Sequence, residues 1–322
     1  MSPISLQPLT AMAVSTVRFR QIDAFTRKTF TGNPAGVVLD AEHLSGTDMQ
    51  NIAREMNVSE TVFVLPAESE KNDLRLRWFT PTQEVDLCGH ATIAVFHVLA
   101  EEGRFGLQVN EPQSFLVETK TEVLTVDVEW VDLRPYIKLT LPTPIFFPYP
   151  GDIRYLCGAL GLSDIELSEK VKPKITGFGF CYVPVRSLES LETLEPNQHL
   201  LRKLNERHDL AGFAVVSTDT SDLEEDWVMR FFAPSIGIFE DPVTGTANGP
   251  MAAFLWENGF LDPKKKHFSF RGSQGEYVNR PGIVNVNMVI RDGKVSLIQI
   301  AGEAVSVMEG LIRLRNQSAD SL

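Results

Sequence analysis

The chain has 322 residues, of which 43% are hydrophobic and 22% charged. That is enough apolar material for two packed domains and too much for a disordered polymer. A formal net charge of -12 argues against nucleic acid or an anionic membrane as partner, because both need clustered Lys and Arg.

The elements follow in chain order. Residues 1–16 lack the basic start of a signal peptide and the arginines of a transit peptide, so a loose N-terminal extension is expected. A strand is expected over 17–25. The turn Thr31-Gly32-Asn33-Pro34 leads into a second strand over 35–39. Residues 47–56 have the spacing of an amphipathic helix, with Thr47 as its cap. Short strands follow at 61–65 and 74–79, then a helix over 91–102 that ends at Gly103. Residues 115–141 supply two or three strands. The pattern then recurs: strand 178–185, helix 199–206, strands 212–217 and 227–232, helix 246–258, and strands to about 312. The basic cluster Lys264 to Lys266 reads as a solvated turn. No apolar run reaches the length needed to span a bilayer.

The recurrence is a duplication. Arg77-Trp78-Phe79-Thr80-Pro81 matches Arg230-Phe231-Phe232-Ala233-Pro234. Beyond it Gly89, Ala91, Leu99, Glu101 and Gly103 align with Gly245, Ala247, Leu255, Glu257 and Gly259 at one constant offset. Both repeated helices are apolar on nearly every face, so each must be enclosed. Each half is expected to curl a sheet around one central helix, with Pro250 in or near the opening turn of the second. The expected division is 17–130 for the first lobe, 131–312 for the second and 313–322 for a tail.

Both enclosed helices start at glycine-bearing turns, Cys88-Gly89-His90-Ala91-Thr92 and Thr244-Gly245-Thr246-Ala247-Asn248. A helix start presents unpaired N–H groups and partial positive charge, and glycine lets a ligand approach closely. Two such starts facing one cleft can hold the carboxylate of a small acid. Among titratable residues, His90 sits where an imidazole's proton affinity should fall. It reads equally as a neutral proton donor or acceptor or as a capping histidine. Glu60, in Asn57-Val58-Ser59-Glu60-Thr61, reads from its residues alone as an exposed glutamate at a strand end. Partly buried, it would have a raised pKa and could take and return a proton. Asp241 precedes the second helix start, in an Asp-Pro pair that is also an ordinary turn. His43, His97, His199, His208 and His267 read as structural or exposed. The three cysteines, Cys88, Cys157 and Cys181, are odd in number and far apart. No pair has metal-ligand spacing, and the pattern points to a reducing, cytoplasmic compartment. No dinucleotide fingerprint, P-loop, serine elbow or zinc helix motif occurs, which leaves side-chain acids and bases without cofactor or metal.

On these residues the chain resembles the PhzF-like (phenazine biosynthesis-like) family, relatives of diaminopimelate epimerase. Asp23-Ala24-Phe25 with Thr31-Gly32-Asn33-Pro34, Asn57-Val58-Ser59-Glu60-Thr61, Arg77-Trp78-Phe79-Thr80-Pro81, Cys88-Gly89-His90-Ala91-Thr92 and Glu240-Asp241-Pro242-Val243-Thr244-Gly245-Thr246-Ala247 carry the resemblance. It implies an α/β (α+β) fold of diaminopimelate epimerase type. Two pseudo-symmetric lobes, each a curled mixed sheet around a buried helix, would enclose the site between them. It implies Glu60 as the proton-shuttling acid/base, His90 and Asp241 as its catalytic assistants, and Gly89, Ala91, Thr244, Gly245 and Thr246 as substrate-binding positions. It also implies a homodimer. In the phenazine enzyme the reaction isomerises a dihydro-hydroxyanthranilate. The racemase relatives use two cysteines, one per helix start. Here Cys88 has Thr244 as its counterpart, so two-thiol racemisation is not expected. Thr246 replaces a serine often found there, and Asn248 stands where histidine is common. The expected activity is isomerisation of a small carboxylic acid. The alternatives are an epimerase using Cys88, or a binding protein that kept the fold without catalysis.

Overall fold

The computed structural model describes residues 15–163 and 166–314. The first run of elements is β1 (Ser15–Ala24), β2 (Asn33–Val38), α1 (Gly46–Met56), β3 (Glu60–Leu65), β4 (Leu74–Phe79), β5 (Glu84–Val85), α2 (Gly89–Glu101), β6 (Gln113–Glu118), β7 (Val123–Val131) and β8 (Arg134–Leu141). The second is β9 (Phe146–Pro148), α3 (Ile153–Leu160), β10 (Lys174–Thr176), β11 (Phe180–Pro184), α4 (Leu188–Glu192), α5 (Gln198–His208), β12 (Gly212–Ser217), β13 (Trp227–Ala233), β14 (Ile238–Asp241), α6 (Gly245–Glu257), β15 (His267–Gln274), β16 (Gly282–Arg291), β17 (Lys294–Gly302) and β18 (Ala304–Leu314). The architecture is the mixed α/β arrangement of two related halves that the repeat implies.

The halves repeat their pairing as well as their order. In the first, β2 and β3 run parallel with Ala35 opposite Glu60, and β4 runs parallel to β6. In the second, β11 and β12 run parallel with Phe180 opposite Gly212, and β13 runs parallel to β15. Among the described residues, eighteen strands join into one mixed sheet. The halves meet where β8 pairs antiparallel with β17, and the last strand, β18, crosses back to pair with β1.

The enclosed helices are the centres of this sheet. Ile93, Val95, Phe96, Val98 and Leu99 of α2 are all 0% exposed, and each buried side chain contributes on the order of 1.5–3 kcal/mol. In α6, Ala247, Met251, Ala252, Ala253 and Phe254 are buried in the same core. Both helices start where their tips meet. A Cβ on Gly89 would come within 3.4 Å of the Thr246 backbone nitrogen and 2.9 Å of Ile300 Cδ1. The two helix starts therefore lie in van der Waals reach of each other, and a larger residue at Gly89 would have to displace the end of the Ile300 side chain.

Several expectations need correction. Ser45, not Thr47, caps α1. Its hydroxyl accepts from the Asp48 N–H while the Asp48 carboxylate accepts from the Ser45 N–H, a capping box two residues upstream. Pro250, expected in or near the opening turn of α6, is its sixth residue, just past that turn. Its missing N–H therefore removes the helical partner of the Thr246 carbonyl, one turn back at the tip. The strands β9 and β10 and the helices α3 and α4 were not foreseen. The expected lobe junction at 130/131 falls inside β7. Of the expected termini, residues 1–14 and 315–322 lie outside the described residues, and Ser15, Thr16, Arg313 and Leu314 belong to β1 and β18.

Candidate active site

A cavity of about 400 Å³ opens between the halves at the two helix tips, within the size range of small-molecule sites. Its walls differ in chemistry. Glu60, Cys88, His90, Asp241, Thr244 and Thr246 make a polar side, and Phe178, Phe180, Phe231, Ile236 and Ile238 make an apolar one. Among the described residues no Lys or Arg lines it. An anionic substrate group must therefore be held by the N–H groups of the helix starts. In α2 the first helical bond runs from the Thr92 N–H to the Cys88 carbonyl, so the N–H groups of Gly89, His90 and Ala91 precede the helical ladder.

Local structure places each side chain. Glu60 begins β3 and is 8% exposed, which overturns its reading as an exposed strand-end glutamate. Burial, followed by repulsion from Asp241, pushes its pKa up to about 8. His90 is the second residue of α2 and 4% exposed. Burial pushes its pKa down to about 3, so the ring is neutral at physiological pH. The direction is the one expected, but burial is the cause. Asp241 ends β14 and is 6% exposed. Burial raises its pKa, opposed by hydrogen bonds from Thr244, Asn33 and Ser59. Burial and the neighbouring Glu60 push the Cys88 thiol well above its ordinary value.

His90 Nε2 lies 3.3 Å from Glu60 Oε2. That is close enough for a contact, but the pair lacks hydrogen-bond alignment, and both atoms are buried without a partner. Two polar atoms are thus left unsatisfied side by side in residues that line the cavity, a costly arrangement.

Asn33 joins His90 to the second half. Its amide nitrogen lies 2.8 Å from the Val243 carbonyl, 2.9 Å from Asp241 Oδ1 and 3.2 Å from His90 Nδ1. The Val243 carbonyl can only accept, so the amide presents N–H on this side. Its two hydrogens serve the Val243 carbonyl and Asp241 Oδ1, so Asn33 offers His90 Nδ1 no acceptor, and Cys88 Sγ lies 3.5 Å from that same nitrogen. The motif residues upstream hold Asn33 in place. Gly32 has φ +64°, and a Cβ there would meet the Ala24 carbonyl at 2.2 Å. Arg280 donates to Asp23, to the Thr31 carbonyl and to the Gly32 carbonyl.

One ligand atom each from Glu60, Cys88 and His90 lie within 4.8 Å of one another, a spacing that could hold a metal ion. The surroundings do not fit one. A metal-bound imidazole donates its second N–H to an acceptor, whereas Asn33 offers His90 no acceptor.

Of the expected binding positions, Gly89, Thr244, Gly245 and Thr246 line the cavity. Ala91 is fully buried in the core, and its side chain does not reach the wall. Sequence reasoning quoted Asn33 only as part of a turn and missed Gln274 altogether. Both are amides, whose roles come from the partners that folding brings to them. It also missed that the Arg–Glu pairs repeat. Arg77 holds Glu84 through Nε and Nη2 at 2.8 and 3.0 Å, and Arg230 holds Glu240 through the same atoms, both at 2.8 Å. Glu84 and Glu240 stand at the same offset as Gly89 and Gly245, a signal the sequence offered.

No helix among the described residues is long and apolar enough to cross a membrane. Residues 22–310 match the family described as phenazine biosynthesis-like protein. The uncharacterized isomerase YddE of Salmonella typhimurium is 38% identical over 288 residues, covering 88% of this chain and 94% of that one. The crystal structure of the Bacillus anthracis phenazine biosynthesis protein, PhzF family, superposes with a TM-score of 0.83. It is 32% identical and covers 92% of this chain and 99% of that one. A hydroxyproline epimerase from Agrobacterium vitis shares the fold at 14% identity, with a TM-score of 0.63 over 94% of each chain.

Proposed function

This chain belongs to the phenazine biosynthesis-like family, and from that membership we propose that it is an isomerase moving a proton within a small carboxylic acid. The observation that carries this reading is the pair Glu60 Oε2 and His90 Nε2, buried, partnerless and 3.3 Å apart on one wall of the cavity. The substrate carboxylate binds the N–H groups at Gly89 and at Gly245 and Thr246, where the helix ends supply partial positive charge. Glu60 removes a proton next to a conjugating group and returns it elsewhere on the same face. A pKa near 8 keeps both its forms accessible around neutrality, the condition for a group that must act as base and acid in turn. His90 donates through Nε2 to the developing charge, and Asp241 assists from the second half.

Epimerisation with Cys88 as one base is less favoured. Its thiol is held protonated by burial and by Glu60, and the equivalent position holds Thr244. A binding protein without catalysis would have no need of the unsatisfied pair. The proposal includes a homodimer in the cytoplasm, with no nucleic-acid or membrane partner. Light scattering of the purified chain checks the assembly state. The test of function is proton exchange from deuterated water into cyclic and α-amino acids. Exchange by the native chain that survives in Glu60→Gln removes Glu60 from this role.

A further inference from the structure

Gln274 lies outside every motif named above, at the end of β15, and is 1% exposed. All four of its amide bonding positions are used. Oε1 accepts from the Thr244 N–H at 3.0 Å and from Asn248 Nδ2 at 2.9 Å. Nε2 donates to the Asp241 carbonyl at 2.8 Å and faces the Thr244 hydroxyl at 3.0 Å. Two of these partners are backbone groups with one role each, so the amide cannot be reversed. Asn248 fixes it a second time. The Trp227 indole can only donate, and it donates to Asn248 Oδ1 at 2.7 Å. Asn248 must then present N–H to Gln274.

The consequence reaches the cleft. With Gln274 donating to it, the Thr244 hydroxyl has its own proton left for Asp241 Oδ2, 2.6 Å away. Asn33 donates to the other oxygen, Oδ1, at 2.9 Å. Asp241 thus receives donors on both oxygens, whereas Glu60 Oε2 receives none and the Cys88 thiol is the donor to its carboxyl group. Cys88 and His90 face Glu60 from the first half. Asp86, on the rim and paired with Lys120 at 3.5 Å, is the remaining titratable group on the wall.

We propose that Gln274 is a positioning residue: it forces the Thr244 hydroxyl to donate to Asp241, so Asp241 holds the negative charge of the cleft and Glu60 holds the exchangeable proton. This rests on the isomerase reading for its catalytic meaning, but the order of protonation is a property of the protein alone. Donors on both oxygens favour the ionised form of Asp241, and a fixed negative charge beside Glu60 favours its protonated form. Asn248 belongs to this chain of fixed amides.

The experiment is carbon-detected NMR titration of the full chain, labelled at the Asp and Glu carboxyl carbons. Glu60→Gln and Asp241→Asn assign the two signals. In the native protein Asp241 is expected to titrate well below Glu60. Thr244→Val removes the hydroxyl donor and is expected to narrow that gap by about one to two pH units. Gln274→Glu, which turns the Thr244 hydroxyl toward a competing acceptor, is expected to narrow it in the same direction. Thr244→Ser should restore the native order. A merely structural Gln274 would lower the melting temperature and leave the gap unchanged. If Gln274→Glu does not fold, the Val and Ser variants at Thr244 decide. Asp241 titrating above Glu60 in the native chain, or a gap untouched by Thr244→Val, overturns the proposal. No substrate is needed. A native titration order beside a fully active Glu60→Gln would sink the isomerase reading and leave this one standing.

Discussion

The two halves share a plan and differ where it matters for chemistry. Glu60 opens β3 in the first half, and Gly212 opens β12 at the equivalent register in the second. A Cβ on Gly212 would meet the Phe231 ring at 2.4 Å, so an aromatic edge fills the space that a second carboxylate would need. Likewise Cys88 has Thr244 as its twin, and His90 has Thr246. The first half brings Glu60, Cys88 and His90 to the cavity, and the second an apolar wall with Asp241 beside it. The halves share two helix tips at the cavity but not the titratable side chains beside them. The Arg–Glu pairs show the opposite trend. They kept their geometry, but the Arg230–Glu240 side chains are 8% and 7% exposed, against 23% for each of Arg77 and Glu84.

Four changes probe that contrast, in order of expected effect. Glu60→Gln should cut proton exchange by about 10²–10⁴-fold, measured as deuterium incorporation, with no rescue from the second half. Arg230→Met should cost about 3–5 kcal/mol in denaturant unfolding, because it leaves Glu240 buried and uncompensated. Arg77→Met should cost clearly less, since its pair is partly solvated. Equal costs would mean that burial does not distinguish the two pairs.

The third concerns pH. Glu60 is raised from 4.5 unfolded to about 8 folded, so the folded state binds the extra proton between those values. Stability is complete below 4.5 and falls as pH rises toward 8, by on the order of 5 kcal/mol. Glu60→Gln should remove that loss, so melting temperatures at pH 5 and pH 9 should differ less in the variant than in the native chain. Activity should run the other way, rising through neutrality and levelling above about pH 8 as the base form fills. The smallest effect is expected from Cys88→Ser. Because the thiol stays protonated, exchange should change by less than about tenfold. Abolished exchange would favour the epimerase alternative.

Much of this was legible in the sequence. The paired Phe-x-Pro and glycine-helix segments give the duplication, and helices without a polar face give their enclosure. The titratable residues of the cleft came from helix starts and from the family resemblance. Glu60 shows the limit: alone it reads as exposed, and only the pairing of β3 with β2 and β4 buries it. Asn33 and Gln274 show another limit, since an amide acquires direction only from its partners, here from a carbonyl 210 residues away in one case.

The most direct measurement is the stereochemical course of proton transfer in deuterated water with an acid that the native chain turns over. With one base on one wall, deuterium should enter on the same face from which hydrogen leaves, and the starting stereocentre should not be inverted. Inversion, or label on opposite faces, would require a second base that the Phe231 wall does not offer.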